Sequence, residues 1–284
     1  MNAQVVHTIE ELRRTLVPIS SEHHSIGLVP TMGALHAGHG KLIETARRES
    51  GCLVVSIFVN PIQFDRSDDY SRYPRALPND LEFCAARGVD IVFAPLVEEM
   101  YPSAQRAFVE VNGISDHLCG QFRPGHFRGV ATVVLKLLNI VQPDRAYFGE
   151  KDAQQVAVIR QLVKDLNVSV SIVEVPTVRE ADGLALSSRN ENLTAEERRV
   201  APTLHRALQA AALSISSGAT NADEIKKEAL RVFDPYPEVR VEYLEIVNAG
   251  DMLPVERVIA PVRVAGAVWI GKTRLIDNIL CMPR

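Results

Sequence analysis

The stretch G27-L-V-P-T-M-G-A-L-H-A-G-H-G-K-L42 sets two histidines and four glycines between a hydrophobic run and a segment of helical spacing. Its first residues continue the apolar run from Ile26 and have the character of a buried strand. Residues 40–49, GKLIETARRE, carry apolar positions at helical spacing. The turn between them holds Gly33, His36, Gly38 and His39. The spacing predicts strand, polar turn and helix, the unit from which parallel sheets are built.

The same rhythm recurs along the chain. CLVVSIFV (52–59) is a continuous run rich in β-branched residues that ends at Asn60-Pro61. NDLEFCAARG reads as a helix stopped by Gly88, and VDIVFAP as the next strand. AFVEV (107–111) is a further, shorter strand candidate. FRGVATVVLKLLNIVQP is too long for a typical strand and reads as a helix; RAYFGEKDAQQVAVIRQLVKDLN gives strand, polar turn and helix; VSVSIVEVPTV gives a strand. Near the start, TIEELRRTLVPI is a helix with Thr8 as its cap and Glu11 three residues on. Buried strands alternating with helices predict an α/β fold with a parallel sheet.

The texture changes after Pro176. LTAEERRVAPTLHRALQAAALSISSG reads as one long helical region capped by Thr194, NADEIKKEALRVF as another helix, and the remainder as β-like segments. We therefore expect two domains, 1–175 and a smaller α+β domain of helices and antiparallel sheet at 176–284.

Composition narrows the class. The chain has 284 residues, 46% hydrophobic and 23% charged, enough for a packed core, with a formal net charge of −4. That balance offers no general attraction to nucleic acid or to an anionic membrane, and basic and aromatic residues are not interleaved. The four cysteines, 52, 84, 119 and 281, lack zinc-like spacing and fit thiols in a reducing compartment. No secretory signal and no apolar stretch of about 20 residues is evident. A soluble cytoplasmic protein is expected.

Ligands of open parallel sheets bind beyond the carboxyl ends of the strands. Four polar clusters fall there: His36 and His39; Asn60 and Gln63; Gly149 to Gln155; and Ser187 to Asn190. His36 and His39 lie at the mouth of a helix, where backbone N–H groups favour phosphate and imidazoles can add donors. They could equally be capping or core histidines. Zinc is the weaker reading, with no third ligand nearby. Lys151 can neutralise phosphate charge, Asp152 can accept from ribose hydroxyls, and Gln155 shares a helix face with Lys151. The same residues would also suit a solvated turn opening a helix. Ser187, Ser188 and Arg189 suit a triphosphate or the start of a helix. Arg123, His126 and Arg128 form either an anion-binding lid or a solvated connector, with Arg128 alternatively a salt-bridge residue. No Gly-rich loop of the Gly-Lys-Ser/Thr type is present.

PTMGALHAGH, FVNPIQF, RPGHFRGV, FGEKDAQQ and ALSSRN together resemble, in order, the signatures of the pantoate–beta-alanine ligase family, from residue 30 to 190. The histidine turn alone resembles the wider nucleotidyltransferase superfamily. The resemblance implies a Rossmann-like catalytic domain and a two-step reaction. ATP and (R)-pantoate would form pantoyl adenylate and pyrophosphate with Mg²⁺; beta-alanine would then release pantothenate and AMP. It implies an ATP site at Pro30, Thr31, Met32, Gly38, Gly149, Lys151, Asp152, Ser187, Ser188 and Arg189. His36, His39, Lys151 and Arg189 would serve catalysis, while Met32, Asn60, Gln63 and Gln155 would bind pantoate. It also implies a homodimer; because an acyl adenylate is hydrolysis-prone and needs water excluded, the C-terminal domain, which carries no comparable polar cluster, is a candidate lid. The metal ligands are not assigned. The competing readings are another nucleotidyltransferase and a non-catalytic nucleotide-binding module. One departure from the family stands out: Gly40 replaces a bulkier residue, at a cost of about 0.5–1 kcal/mol in helix propensity, and is followed by Lys41.

Overall fold

In a computed structural model, which describes residues 3–21, 24–65 and 67–283, the apolar runs become a six-stranded sheet. Its strands are β1 (Gln4–Val6), β2 (Ile26–Thr31), β3 (Cys52–Ile57), β4 (Ile91–Phe93), β5 (Arg145–Gly149) and β6 (Ser171–Val175), in the order β1-β4-β3-β2-β5-β6. Every pairing is parallel. The run CLVVSI has no polar alternation because both faces of a parallel sheet are covered. On one face Val29, Leu53, Val55, Val92 and Tyr147 pack with Leu42, Ile43 and Ala46 of the helix Ala37–Glu49. Leu28, Val54, Ile91, Phe93, Ala146 and Phe148, at the alternate positions, are buried as well. The helix His126–Val141 is buried on nearly all sides and packs against β2 and the helix Ile9–Ser21.

The strand order locates the site. From β2 the chain builds outward to β3 and β4, then returns to the other side of β2 for β5 and β6. A reversal of this kind leaves a crevice beyond the carboxyl ends of the two strands that flank it. Those ends are Thr31 and Gly149. Pairing of β2 with β3 runs from Ile26↔Cys52 to Thr31↔Ile57, whereas pairing with β5 is confined to Gly27↔Arg145 and Leu28↔Ala146. Pro30, which has no N–H to give, falls where the β5 ladder has already ended.

The chain divides into two compact units. The first comprises Met1–Val111, Arg123–Glu150 and Val158–Pro176; the second comprises Asn112–Phe122, Lys151–Ala157 and Thr177–Arg284. The second holds an antiparallel sheet, β7 (Val239–Asn248), β8 (Val262–Ile270) and β9 (Thr273–Cys281), in that order. Leu204, Leu208, Ala211 and Ile215 of the helix Thr203–Ser216 and Ile225 of the helix Ala222–Leu230 share a core with Leu244, Val264, Val268 and Leu275 of the strands. Its two earlier segments are tied by buried Gln154, whose carbonyl accepts from the Cys119 N–H (3.0 Å) and whose amide donates to the Ile114 and His117 carbonyls (2.8 and 2.7 Å).

Two sequence expectations are corrected. Residues 107–111 form no strand; the Val109 N–H donates to the Thr132 hydroxyl (3.0 Å), a side-chain partner in place of a neighbouring strand. The long helical region after Thr194 is two helices, Ala195–Val200 and Thr203–Ser216, separated at Ala201-Pro202. Pro202 cannot continue a helix but suits the start of one. The Thr194–Glu197 capping box is present, as is the Thr8 cap on the Glu11 N–H (3.2 Å).

Candidate active site

At the end of β2, Thr31 Oγ1 donates to the Ser56 carbonyl (2.7 Å) and accepts from the Gly33 N–H (3.2 Å), turning the chain out of the sheet. Gly33 has φ +81°, and Ala34 follows at φ +50°, a region that costs a non-glycine residue energy. Asp80, in the helix Leu77–Ala85, holds this turn: its carboxylate accepts the N–H groups of Ala34 (3.0 Å) and Leu35 (2.7 Å) and is 3% exposed. Burial outweighs those two bonds and holds the Asp80 carboxyl above its ordinary value. The folded state therefore keeps this proton more tightly than the unfolded chain, and the group's contribution to stability falls as pH rises through its folded value. Asp80→Ala is expected to cost about 2–4 kcal/mol, because two backbone N–H groups lose a charged acceptor. Asp80→Asn, which keeps one acceptor, should cost less and should lack the acid-side pH component. Urea unfolding of both variants at several pH values checks this.

The two histidines cap the next helix. His36 Nδ1 accepts from the Gly38 N–H (3.1 Å), and His39 Nδ1 accepts from the His36 N–H (3.2 Å). Their rings lie 4.2 Å apart, centroid to centroid. Each Nδ1 must present a lone pair to its donor, so in the neutral imidazole the proton belongs on Nε2. The capping reading therefore holds: the Nδ1 atoms fix the helix start, and in the neutral tautomer Nε2 carries the N–H.

Beside this turn, Met32, Asn60 and Gln63 are brought together. Asn60, 1% exposed, donates to Gln63 Oε1 (3.0 Å) and the Gly129 carbonyl (3.2 Å), and its own oxygen accepts from the Tyr101 hydroxyl (2.8 Å). Burial pushes the Tyr101 phenol up, which keeps it a donor. Gln63 Nε2 lies 3.0 Å from Met32 Sδ. The Gln63 carbonyl is held by His126 Nδ1 (2.8 Å), while Arg123 reaches His126 Nε2 (3.2 Å) and Asp65 (3.1 Å). A carbonyl only accepts and a guanidinium only donates, an arrangement that suits the His126 tautomer with its proton on Nδ1. Here Arg123 and His126 fix the Gln63 backbone. Arg128 lies over the Phe108 ring (4.5 Å) with Glu110 3.9 Å away, on an exposed surface.

In the second unit, Lys151 occupies the short turn Glu150–Asp152, its side chain 19% exposed and its Nζ 4.0 Å from Asp152. Asn278 Nδ2 donates to the Lys151 carbonyl (3.0 Å). Gln155 lies one turn on, in the helix Ala153–Asp165, half-buried. Ser187 Oγ caps the 3-10 turn Ser188–Asn192 by accepting the Arg189 N–H (3.2 Å). Among the described residues no group of three His, Cys, Asp or Glu side chains converges as a metal cage.

A family model described as Pantoate-beta-alanine ligase matches residues 4–280. The chain belongs to the pantoate-beta-alanine ligase family. It is 50% identical over 277 residues to the pantothenate synthetase of Moorella thermoacetica, covering 98% of both chains. A crystal structure of the Thermus thermophilus pantothenate synthetase superposes with a TM-score of 0.92 at 47% identity, covering 97% of this chain and 98% of that one. The Francisella tularensis pantoate-beta-alanine ligase, crystallised in complex with beta-gamma ATP and beta-alanine, gives 0.83 at 37% identity, over 98% and 97%.

The space around Gly40 is tight. A Cβ there would stand 2.9 Å from Arg87 Nε and 3.3 Å from the Phe83 ring, over which the Arg87 guanidinium is stacked at 3.6 Å. Gly40 makes room for this pair against the helix start, and Lys41 is exposed to water. Sequence reasoning did not find the support that Asp80 gives the turn after β2 or that Tyr101 gives Asn60, since neither residue lies in a motif. Gly129, a glycine within an apolar helix, was a readable signal.

Proposed function

We propose that this chain catalyses the ATP-dependent condensation of (R)-pantoate with beta-alanine through a pantoyl adenylate. Membership of the ligase family over residues 4–280 carries the reading. In the first step a pantoate carboxylate oxygen attacks the α-phosphorus and the bond to pyrophosphate breaks. In the second the beta-alanine amine attacks the acyl carbon, the acyl–phosphate oxygen bond breaks, and AMP leaves. No protein nucleophile is needed.

Two anions must meet in the first step, so the residues must supply donors and positive charge. His36 and His39 offer Nε2–H donors, with their tautomers set by the capping bonds. Lys151 and Arg189 offer charge to the phosphates, Asp152 an acceptor for the ribose, and Ser187 and Ser188 hydroxyls. Pro30, Thr31, Gly38 and Gly149 give the nucleotide close backbone approach. Gln63 and Gln155 hold pantoate as neutral amides, beside Met32. Asn60 serves pantoate by orienting Gln63, its own polar atoms being engaged. Mg²⁺, when bound, would supply further neutralisation of phosphate charge beside Lys151 and Arg189. Hard cations of this type keep water and phosphate oxygens as their main ligands. A homodimer in the cytoplasm belongs to the same reading; the four cysteines are buried and unpaired, as suits a reducing compartment.

The test is pyrophosphate release with ATP, Mg²⁺ and (R)-pantoate, without and then with beta-alanine, following AMP and pantothenate. Turnover that requires both organic substrates and yields AMP and pantothenate together is expected. Turnover indifferent to both would transfer the chain to another nucleotidyltransferase activity. Binding of ATP with no turnover would make it a binding module.

A further inference from the structure

Asp277 and Asn278 are consecutive residues of β9, both 5% exposed, and their side chains hold two separate stretches of the second unit. The Asp277 carboxylate takes a two-pronged ion pair from Arg179 (2.6 and 2.9 Å). Arg179 also donates to the carbonyls of Gly183 (3.1 Å) and Asn278 (3.2 Å). It begins the small hairpin closed by the bridge Arg179↔Ala185, and that hairpin leads directly into Ser187, Ser188 and Arg189. His205 stands behind the pair, its Nδ1 3.5 Å from Asp277 and its ring filling the space a side chain at Gly183 would take. A bidentate Arg–carboxylate bond fixes direction as well as distance.

Asn278 works on the other stretch. Its Oδ1 accepts from Arg263 Nη1 (2.8 Å), and its Nδ2 donates to the Lys151 carbonyl (3.0 Å). Arg263 is itself buried. A guanidinium has donors only, so Arg263 must face the amide oxygen, and this turns the amide NH₂ toward Lys151. The Lys151 carbonyl sits in the turn from which the lysine side chain springs, so its position sets the root of that side chain.

We propose that Asp277–Asn278 is a positioning pair for adenylate formation: Asn278 sets the Lys151 turn, and Asp277, through Arg179, sets the hairpin that presents Ser187, Ser188 and Arg189. One strand thereby keeps two phosphate-handling stretches in register. The inference rests on the roles proposed above for Lys151 and Arg189.

The experiment uses the full chain and separates the two chemical steps. Asn278→Asp is nearly isosteric, keeps an acceptor for Arg263 and removes the donor to Lys151. Asn278→Ser is the second variant should the first fail to fold. Rapid-quench measurement of pyrophosphate release reports the first step; AMP release on adding beta-alanine to preformed adenylate reports the second. The first step is expected to fall roughly 10- to 100-fold, the scale of a misplacement of about 1 Å, with the second step unchanged. In the double variant Lys151→Ala/Asn278→Asp the first step is expected to be no slower than in Lys151→Ala alone, since residues acting through one another are not additive. Asp277→Asn combined with Arg189→Ala should lose less than the product of the two single losses, since only Ser187 and Ser188 then still depend on the hairpin. Equal loss in both steps, a multiplicative loss in the double variants, or a wild-type first step in Asn278→Asp would overturn the pairing while leaving a slow Lys151→Ala to support the site reading. A fast first step in Lys151→Ala would instead remove the role of Lys151, and the function of its anchor with it.

Discussion

Replacing Lys151 with alanine is expected to slow pyrophosphate release from ATP and (R)-pantoate by about a hundred- to a thousandfold, with little change in the unfolding midpoint. The two halves of that expectation have different physical origins. The ammonium pairs with Asp152, at 4.0 Å on the same turn, and that carboxylate is 45% exposed. Such a pair contributes at most about 1 kcal/mol to stability. In the proposed role the same charge faces phosphate oxygens that become more negative in the transition state, and losing one well-placed group of that kind costs about 3–4 kcal/mol. Lys151→Arg should not restore the rate, because a planar fork on a longer stem does not occupy the place of a compact ammonium. Single-turnover kinetics alongside thermal unfolding make the comparison, and near-normal turnover in Lys151→Ala would dismiss its assigned part.

The second large effect belongs to stability and reaches the site through packing. Gly129→Ala puts a Cβ 2.5 Å from Gln63 Cα and 2.7 Å from Gln63 N, and closer still to the Ile62 carbonyl oxygen. These are backbone atoms of the turn Pro61–Gln63 and cannot rotate aside. The helix His126–Val141 must back away, at a cost of about 1–3 kcal/mol for an overpacked contact. The gain from replacing a helical glycine, up to about 1 kcal/mol, does not offset it. Retreat of the helix also carries away the Gly129 carbonyl that Asn60 bonds and the His126 ring that holds the Gln63 carbonyl. The KM for pantoate should therefore rise more than the KM for ATP. Denaturant unfolding and steady-state kinetics read both effects, and a variant as stable as the parent would refute the packing argument.

Periodicity made much of the first unit legible. Strand β2 falls at Ile26–Thr31, matching the run IGLVPT, because burial on both faces writes an unbroken apolar signature. Strand β1, three residues at the sheet edge, is too short to leave one. The segment 107–111 had the right residue types but is bonded through Thr132, a partner far off in sequence. The site divides in the same way. His36, His39, Gln63 and Lys151 could be nominated from sequence because the chemistry proposed for them lies in their own side chains. Asp80 could not, because its part is to accept two N–H groups some 45 residues away, and nothing in LPNDLEF records that. Asn60 could be nominated in the same way, but its contacts could not: only the geometry turns it toward Gln63 and Tyr101.

The chain enters the second unit twice before Pro176, at Asn112–Phe122 and Lys151–Ala157. Inheritance and engineering both feel that interleaving. A single recombination crossover at Pro176 between two homologues would join the Lys151 turn and Gln154 of one parent to the β9 strand of the other. Neither product would receive a self-contained module. Unless both parents carry an asparagine opposite the Lys151 carbonyl, chimeras made there would inherit a mismatched anchor, so a productive exchange needs compatible sequence in all three segments at once.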